Sequence, residues 1–213
     1  MKLTCKQPNL SIILGLLMGA LSLICTPLHA QKSKAVLTFK DGTVKNGLGK
    51  LISRNRVKFR SHKKAKPIKY HFKNLETVKM IQKEDSLTYV YIRVNNKKKP
   101  RVLEVKVAGI LSLYELSQTH YSAGHFGGPG GFGGGFVPVY AYNINNFYVR
   151  KAGQKEATHL GSNQLFTKNF KKAASTYFKD CPSLVQKIQS RTFKKRDLEK
   201  IVNYYNRNCT QTE

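Results

Sequence analysis

Val57 and Phe59 alternate with Arg56, Lys58 and Arg60, and Ile68, Tyr70 and Phe72 alternate with Lys69, His71 and Lys73. A period of two belongs to a strand, because successive side chains leave a strand on opposite sides. On a helix the same residues would scatter around the axis. One face of each segment therefore packs and the other meets water, the habit of antiparallel sheets. Ala35, Leu37 and Phe39 follow the same rule against Val36, Thr38 and Lys40. Asp41-Gly42 then supplies a turn with positive φ. The wet face of the segments around Arg56 and Lys69 is almost wholly cationic.

Three further hairpins follow. The runs 89–94 and 102–107 flank a turn from Asn95 to Pro100. The runs 103–107 and 110–116 flank Ala108-Gly109, and 147–151 and 156–160 flank Ala152 to Lys155. Short strands at this spacing predict an antiparallel sheet curling into a roll or barrel-like body. A low-complexity run, GHFGGPGGFGGG from Gly124 to Gly135, interrupts it and reads as a long loop. Phe126, Phe132 and Phe136 punctuate that loop and are expected to pin it to the sheet, with contact to a partner as the alternative. After Gly161 the period changes to 3.6, with Phe166, Phe170, Ala174, Tyr177 and Phe178 on one face. Pro182 suits the first turn of a second helix lined by Leu184, Val185 and Ile188. Leu198, Ile201, Val202 and Tyr205 line a third. The expected fold is α+β, with a basic β-rich domain over 31–160 and a helical segment over 161–213.

Residues 1–30 read as a secretory signal. Lys2 and Lys6 precede an uncharged run from Leu10 to Cys25, Pro27 breaks it, and Ala30 offers a small residue before the cut. The apolar run is short for an uncleaved anchor. A lipoprotein cut before Cys25 is disfavoured by Ile24 immediately ahead of it. Cleavage leaves two cysteines, Cys181 and Cys209, which admit one pairing and should bond in an oxidising compartment. That bond would tie the start of the second helix to the end of the third. The expected location is the periplasm, the outer membrane or the medium.

The chain holds 38 Lys and Arg against 11 Asp and Glu. Lys2 and Lys6 are the only charged residues of the signal, which leaves 36 cations against 11 acids. Such an excess attracts polyanions, and the cations crowd the N-terminal part. Arg56, Lys58, Arg60, Lys63, Lys64, Lys66, Lys69 and Lys73 form the candidate contact set. Outside a cell the matching chemistry is lipopolysaccharide, acidic glycan, anionic lipid head groups and released DNA. Tyr70 and Phe72 alternate away from the lysines, so the aromatic stacking that single-stranded nucleic acid needs beside its cations is not offered. Lys97, Lys98 and Lys99, in a turn, would meet phosphates or acidic sugars without reading sequence.

No catalytic signature emerges. There is no G-x-S-x-G, H-E-x-x-H or P-loop pattern. Gly128, Gly130 and Gly133 match G-x-G-x-x-G, but Pro129 sits inside the match and no helix follows. His120 and His125 make at most a loose metal pair without an evident third ligand. Asp41 belongs to a turn, and Asp180 and Asp197 are placed to serve helix ends. No cofactor is expected.

The segments KAVLTFKDGTVKNGLGKL, RVKFR, LEVKVAGILSLYEL and FYVRK, with the two-cysteine tail from Phe170 to Cys209, resemble a family of secreted proteins of Bacteroidetes-type bacteria. The resemblance spans most of the chain after the signal except the glycine loop. It implies an envelope location and assigns no functional residue. The functional expectation is a non-enzymatic envelope protein binding anionic surfaces or polymers. A structural or protein-interaction module of the envelope is the alternative, and an enzyme comes third.

Overall fold

A computed structural model describes residues 33–53, 55–82, 85–122, 140–163 and 170–209. The expected signal, its cleavage site, the whole glycine loop with its three phenylalanines, and Phe166 lie outside these residues. Ten strands form one sheet: β1 (Ser33–Phe39), β2 (Val44–Ser53), β3 (Arg56–Arg60), β4 (Ile68–His71), β5 (Leu75–Gln82), β6 (Asp85–Val94), β7 (Arg101–Val107), β8 (Leu111–Ser122), β9 (Tyr140–Lys151) and β10 (Glu156–Ser162). Their order is β10-β9-β8-β7-β6-β5-β1-β2-β3-β4, and β10 also pairs in parallel with β6 through Glu156 and Ala157. Three helices follow, α1 (Phe170–Tyr177), α2 (Pro182–Gln189) and α3 (Leu198–Asn208). The chain is thus α+β, β-rich with a helical C-terminus, as the periodicities predict. Among the described residues no helix is long and apolar enough to cross a membrane.

Three apolar cores hold these elements. Ala35, Leu37, Val57, Phe59, Phe72, Leu75, Val78 and Met80 form the first. Register explains it: Leu37 stands opposite Val78 and Ala35 opposite Met80, on one face of β1 and β5. The ring of Phe39 on β1 meets that of Tyr70 on β4 at 5.1 Å, so the sheet bends back over its own face. Val94, Leu103, Tyr114, Tyr148 and Ala157 form a second core within the circuit that β10 closes onto β6. The third joins Leu111, Leu113, Val149 and Leu160 to Phe178, Leu184, Ile188, Leu198, Ile201 and Val202 of the helical segment. The helices, of 8, 8 and 11 residues, are too short to persist alone. They stand because one apolar face of each packs on the sheet or on its neighbour, so the helical segment shares a core with β8–β10.

Two details of the alternation differ from expectation. Phe72 is buried as foreseen, but it sits in a 3-10 turn after β4. Ile68 is 53 % exposed rather than packed. It opens β4, the edge strand, and although it faces Phe59 in register no further strand covers it among the described residues.

The β7–β8 turn is clasped by α3. Asn206 accepts the Leu111 N–H at 2.7 Å and donates to the Leu111 carbonyl at 2.9 Å. Its amide thus supplies a strand-like pair to backbone that would otherwise go unpaired. The clasp leaves no room at Gly109, where a β-carbon would lie 2.5 Å from Asn206 Nδ2. Gly109→Ala is expected to cost about 1–3 kcal/mol through this clash. The same substitution in an Asn206→Ala background should cost much less, and a thermodynamic double-mutant cycle checks the coupling.

Candidate anion-binding face

Residues 42–75 contain 11 Lys and Arg and no acid. The register arranges them. Lys58 on β3 stands opposite Lys50 on β2 and Lys69 on β4. Residues opposite one another share a face, so Lys50, Lys58 and Lys69 form a row across three strands, about 4.8 Å from one to the next. Along β3, Arg56 and Arg60 lie on that same face, about 6.7 Å to either side of Lys58. The result is a cross of five cations centred on Lys58. His71 stands beside Arg56, and the turn bearing Lys63, Lys64 and Lys66 continues from Arg60. The Arg60 guanidinium donates to the Lys63 carbonyl at 3.3 Å, which holds that turn against the strand.

The support beneath is apolar. Val57 and Phe59 are 0 % and 3 % exposed on the opposite side of β3. Tyr70 shares their face, opposite Val57. Lys45 belongs to that side too. It donates to the Tyr70 hydroxyl at 3.3 Å and lies over the Phe39 and Tyr70 rings at 5.3 and 5.4 Å. Aromatics and the cationic cross therefore occupy opposite faces.

Arg56, Lys63, Lys64, Lys66, Lys69 and Lys73 are exposed, while Lys58 and Arg60 are half-buried among their neighbours. Among the described residues, no carboxylate pairs with any of these eight or with Lys50. Lys73, in the 3-10 turn, donates its backbone N–H to His71 Nδ1 at 2.9 Å and lies off the strand grid. Lys50 escapes sequence reading because Gly47 and Gly49 obscure the alternation of β2. Its place in the row is visible only from the β2–β3 pairing.

Six of the described acids, Asp41, Glu104, Glu115, Glu156, Asp180 and Asp197, are engaged elsewhere. Asp41 Oδ1 accepts the Thr43 N–H at 2.9 Å, and this bond holds its carboxyl below the usual range. Asp197 accepts the Lys194 N–H at 3.0 Å ahead of α3, an end-of-helix role. Asp180 corrects the expectation that it serves a helix end. It pairs with Lys151 of β9 at 2.7 Å and accepts the Tyr205 hydroxyl. The Lys151 ammonium lies 5.2 Å over each of the Tyr177 and Tyr205 rings. Burial pushes Tyr177 up to about 12. Burial and the Asp180 bond also raise Tyr205.

Burial works against ionised Asp180, yet the hydrogen bonds from Lys151 and Tyr205 outweigh it and lower its pKa. A lowered native pKa means that the stabilisation is complete above the unfolded pKa and is lost as pH falls through the native one. Asp180→Asn is expected to cost about 1 kcal/mol at neutral pH, allowing for screening of a side chain that is 42 % exposed. The difference from the parent should close under acid, which urea melts across pH would reveal.

Glu104 and Glu115 stand opposite each other on β7 and β8, two facing carboxylates that the sequence did not single out. Lys106 bridges them at 3.0 and 3.7 Å, and its hydrogen bond to Glu104 raises the lysine pKa. They line no described cavity. A cleft of about 400 Å³ lies along α1 and α2, bordered by Ser175, Lys179, Val185 and Gln186 among others, with no acid or histidine in its lining. His120 is exposed and stacks on Tyr142 at 5.7 Å, whereas His125 and the G-x-G-x-x-G match lie outside the described residues. Among the described residues no three His, Cys, Asp or Glu side chains gather as metal ligands. No protein-family model, curated protein or solved structure matches this chain.

Proposed function

We propose that the chain is an exported, non-enzymatic envelope protein whose outer β2–β4 face binds an anionic surface or polymer. The observation that carries this reading is the cross of five cations with no carboxylate partner among the described residues. Like charges directly opposite on neighbouring strands are destabilising. Lys50, Lys58 and Lys69 impose that cost twice, and no described contact in the fold repays it. Phosphates or carboxylates from a ligand would. A grid two-dimensional in extent suits a planar array of lipid head groups or lipopolysaccharide phosphates, or a polymer laid flat. Export is supported by the apolar N-terminal run and by the Cys181–Cys209 disulfide. A Bacteroidetes-type envelope is the setting to which the resemblance points. The body is read as a roll with barrel-like closure, supported by the β10–β6 pairing and by the return of β4 onto β1.

The test is binding of the exported, disulfide-bonded chain to phosphatidylglycerol vesicles, lipopolysaccharide, an acidic glycan and DNA across a salt series. Preference for one, weakening steeply with salt, is the expected result. Equal binding to all four would reduce the face to nonspecific charge attraction. No binding near physiological salt would remove the reading.

A further inference from the structure

The longest strand pair is the least supported. β8 and β9 pair over twelve residues, from Leu111 opposite Lys151 to Ser122 opposite Tyr140. β7 pairs with β8 no further than Glu115, and β10 pairs with β9 no further than Asn146. The outer half of the hairpin is therefore a two-stranded ribbon. Side-chain rungs hold it together: Ser117 to Asn145 at 2.9 Å, Thr119 to Asn143 at 2.9 Å, and the His120–Tyr142 stack.

The ribbon's two edges are not equivalent. Asn163 occupies the β9 edge at Asn143 and Asn145. Its N–H donates to the Asn145 carbonyl, its Oδ1 accepts the Asn145 N–H, and its Nδ2 donates to the Asn143 carbonyl, all within 3.0 Å. Along 116–122 the outer edge of β8 has no strand partner among the described residues. Open edges template strand addition, and proteins guard them with charge, proline or brevity. This chain guards its other open edge in all three ways, since β4 is four residues long and Lys66, Pro67 and Lys69 lie on or beside it. The β8 edge has none of these. Residues 116–149 form a run of 34 without one Lys, Arg, Asp or Glu, in a chain of formal charge +27.

We infer that two copies of this chain associate by pairing their β8 edges antiparallel across a two-fold axis. Charge selects the occupant. An acidic partner would find better sites on the cationic surfaces. For a second copy, equally basic, the uncharged ribbon is the place where two strands can meet without setting like charges opposite each other. Geometry limits the assembly, because a two-fold pairing of the same edge closes at two copies, and Asn163 occupies the second edge of each ribbon at Asn143 and Asn145. The result is a four-stranded ribbon, which gives each hairpin the neighbour that isolated two-stranded ribbons need. This inference does not depend on the polyanion reading, and salt separates the two. Screening weakens polyanion binding but relieves repulsion between the cationic bodies, so dimerisation should strengthen with salt.

The experiment is sedimentation velocity of the exported, oxidised chain over a wide concentration range, at low and high salt, with no ligand present. The expected result is a monomer–dimer equilibrium that tightens as salt rises. Gln118→Lys with His120→Lys places two lysines on each edge, and should weaken the dimer by at least about tenfold, whereas His120→Ala, which loses the same His120–Tyr142 stack without adding charge, should keep it. Hydrogen exchange of the unsubstituted chain supplies an arm that does not rely on the variant folding. Amides within 116–122 should gain protection as concentration rises. A monomer at every concentration and salt would overturn the inference. So would a dimer that tolerates both lysines, or one that forms without protecting 116–122.

Discussion

Replacing Arg56, Lys58 and Arg60 together by glutamate is expected to weaken binding to anionic vesicles by about 100- to 10,000-fold at low salt. A basic side chain near an anionic surface contributes about 1 kcal/mol. Losing three gives about 3 kcal/mol and reversing them adds repulsion, while each 1.4 kcal/mol is about a factor of ten. The salt dependence should flatten too, because fewer counterions are displaced on binding. Stability should move the other way. A carboxylate at position 58 would stand between Lys50 and Lys69 and turn two like-charge neighbours into opposite-charge ones. A variant that melts no lower than its parent yet no longer binds would mark the cross as a surface kept for a ligand at some expense of stability. Lys97, Lys98 and Lys99, on the β6–β7 turn, provide the control. If reversing them causes the same loss, net charge and not this arrangement governs binding.

The alternation of Val57 and Phe59 with Arg56, Lys58 and Arg60 is legible because β3 lies inside the sheet with a core beneath it, so each side chain has one unambiguous destination. The 3.6-residue periods of the helices are legible for the same reason: Leu198, Ile201, Val202 and Tyr205 all enter one core. β5 is not legible. Its buried residues Leu75, Val78 and Met80 begin with a helix-like spacing of three, because the register shifts beside Leu75. The parallel β10–β6 contact leaves no local trace, since it joins residues 63 apart in sequence, such as Arg93 and Glu156. The candidate face divides along the same line. Its lysines were evident one strand at a time, but Lys50 joined them only through pairing between strands. The Asp180–Lys151–Tyr205 contact was hidden likewise, because an acid just ahead of a helix reads as a local cap until its distant partners are placed.

Removing the disulfide, with Cys181→Ala and Cys209→Ala, is expected to cost about 3–4 kcal/mol. The two cysteines are 28 residues apart in sequence, and opening a loop of that length returns about this much chain entropy to the unfolded state. For a domain of this size about 2–4 °C of melting temperature accompanies each kcal/mol, so the midpoint should fall by roughly 6–16 °C. Alanine suits Cys181, which is 3 % exposed and packed in the helical core, because it adds no buried polar atom. The loss should be uneven. Cys181 caps the start of α2 and Cys209 the end of α3. Without the bond these short helices still keep their apolar contacts, the Asn206 clasp, the Asp180–Lys151 pair and the Tyr177–Gln154 hydrogen bond. Hydrogen exchange in 170–209 should accelerate first, while β1 and β5, with a core of their own, stay protected. A midpoint shift under about 2 °C would mean that helix packing alone secures the C-terminus. A uniform rise in exchange would mean that the helices and the whole sheet unfold as one cooperative unit, with the disulfide acting on all of it. The uneven pattern would instead identify the helical segment as the part of the fold whose persistence depends on an oxidising compartment.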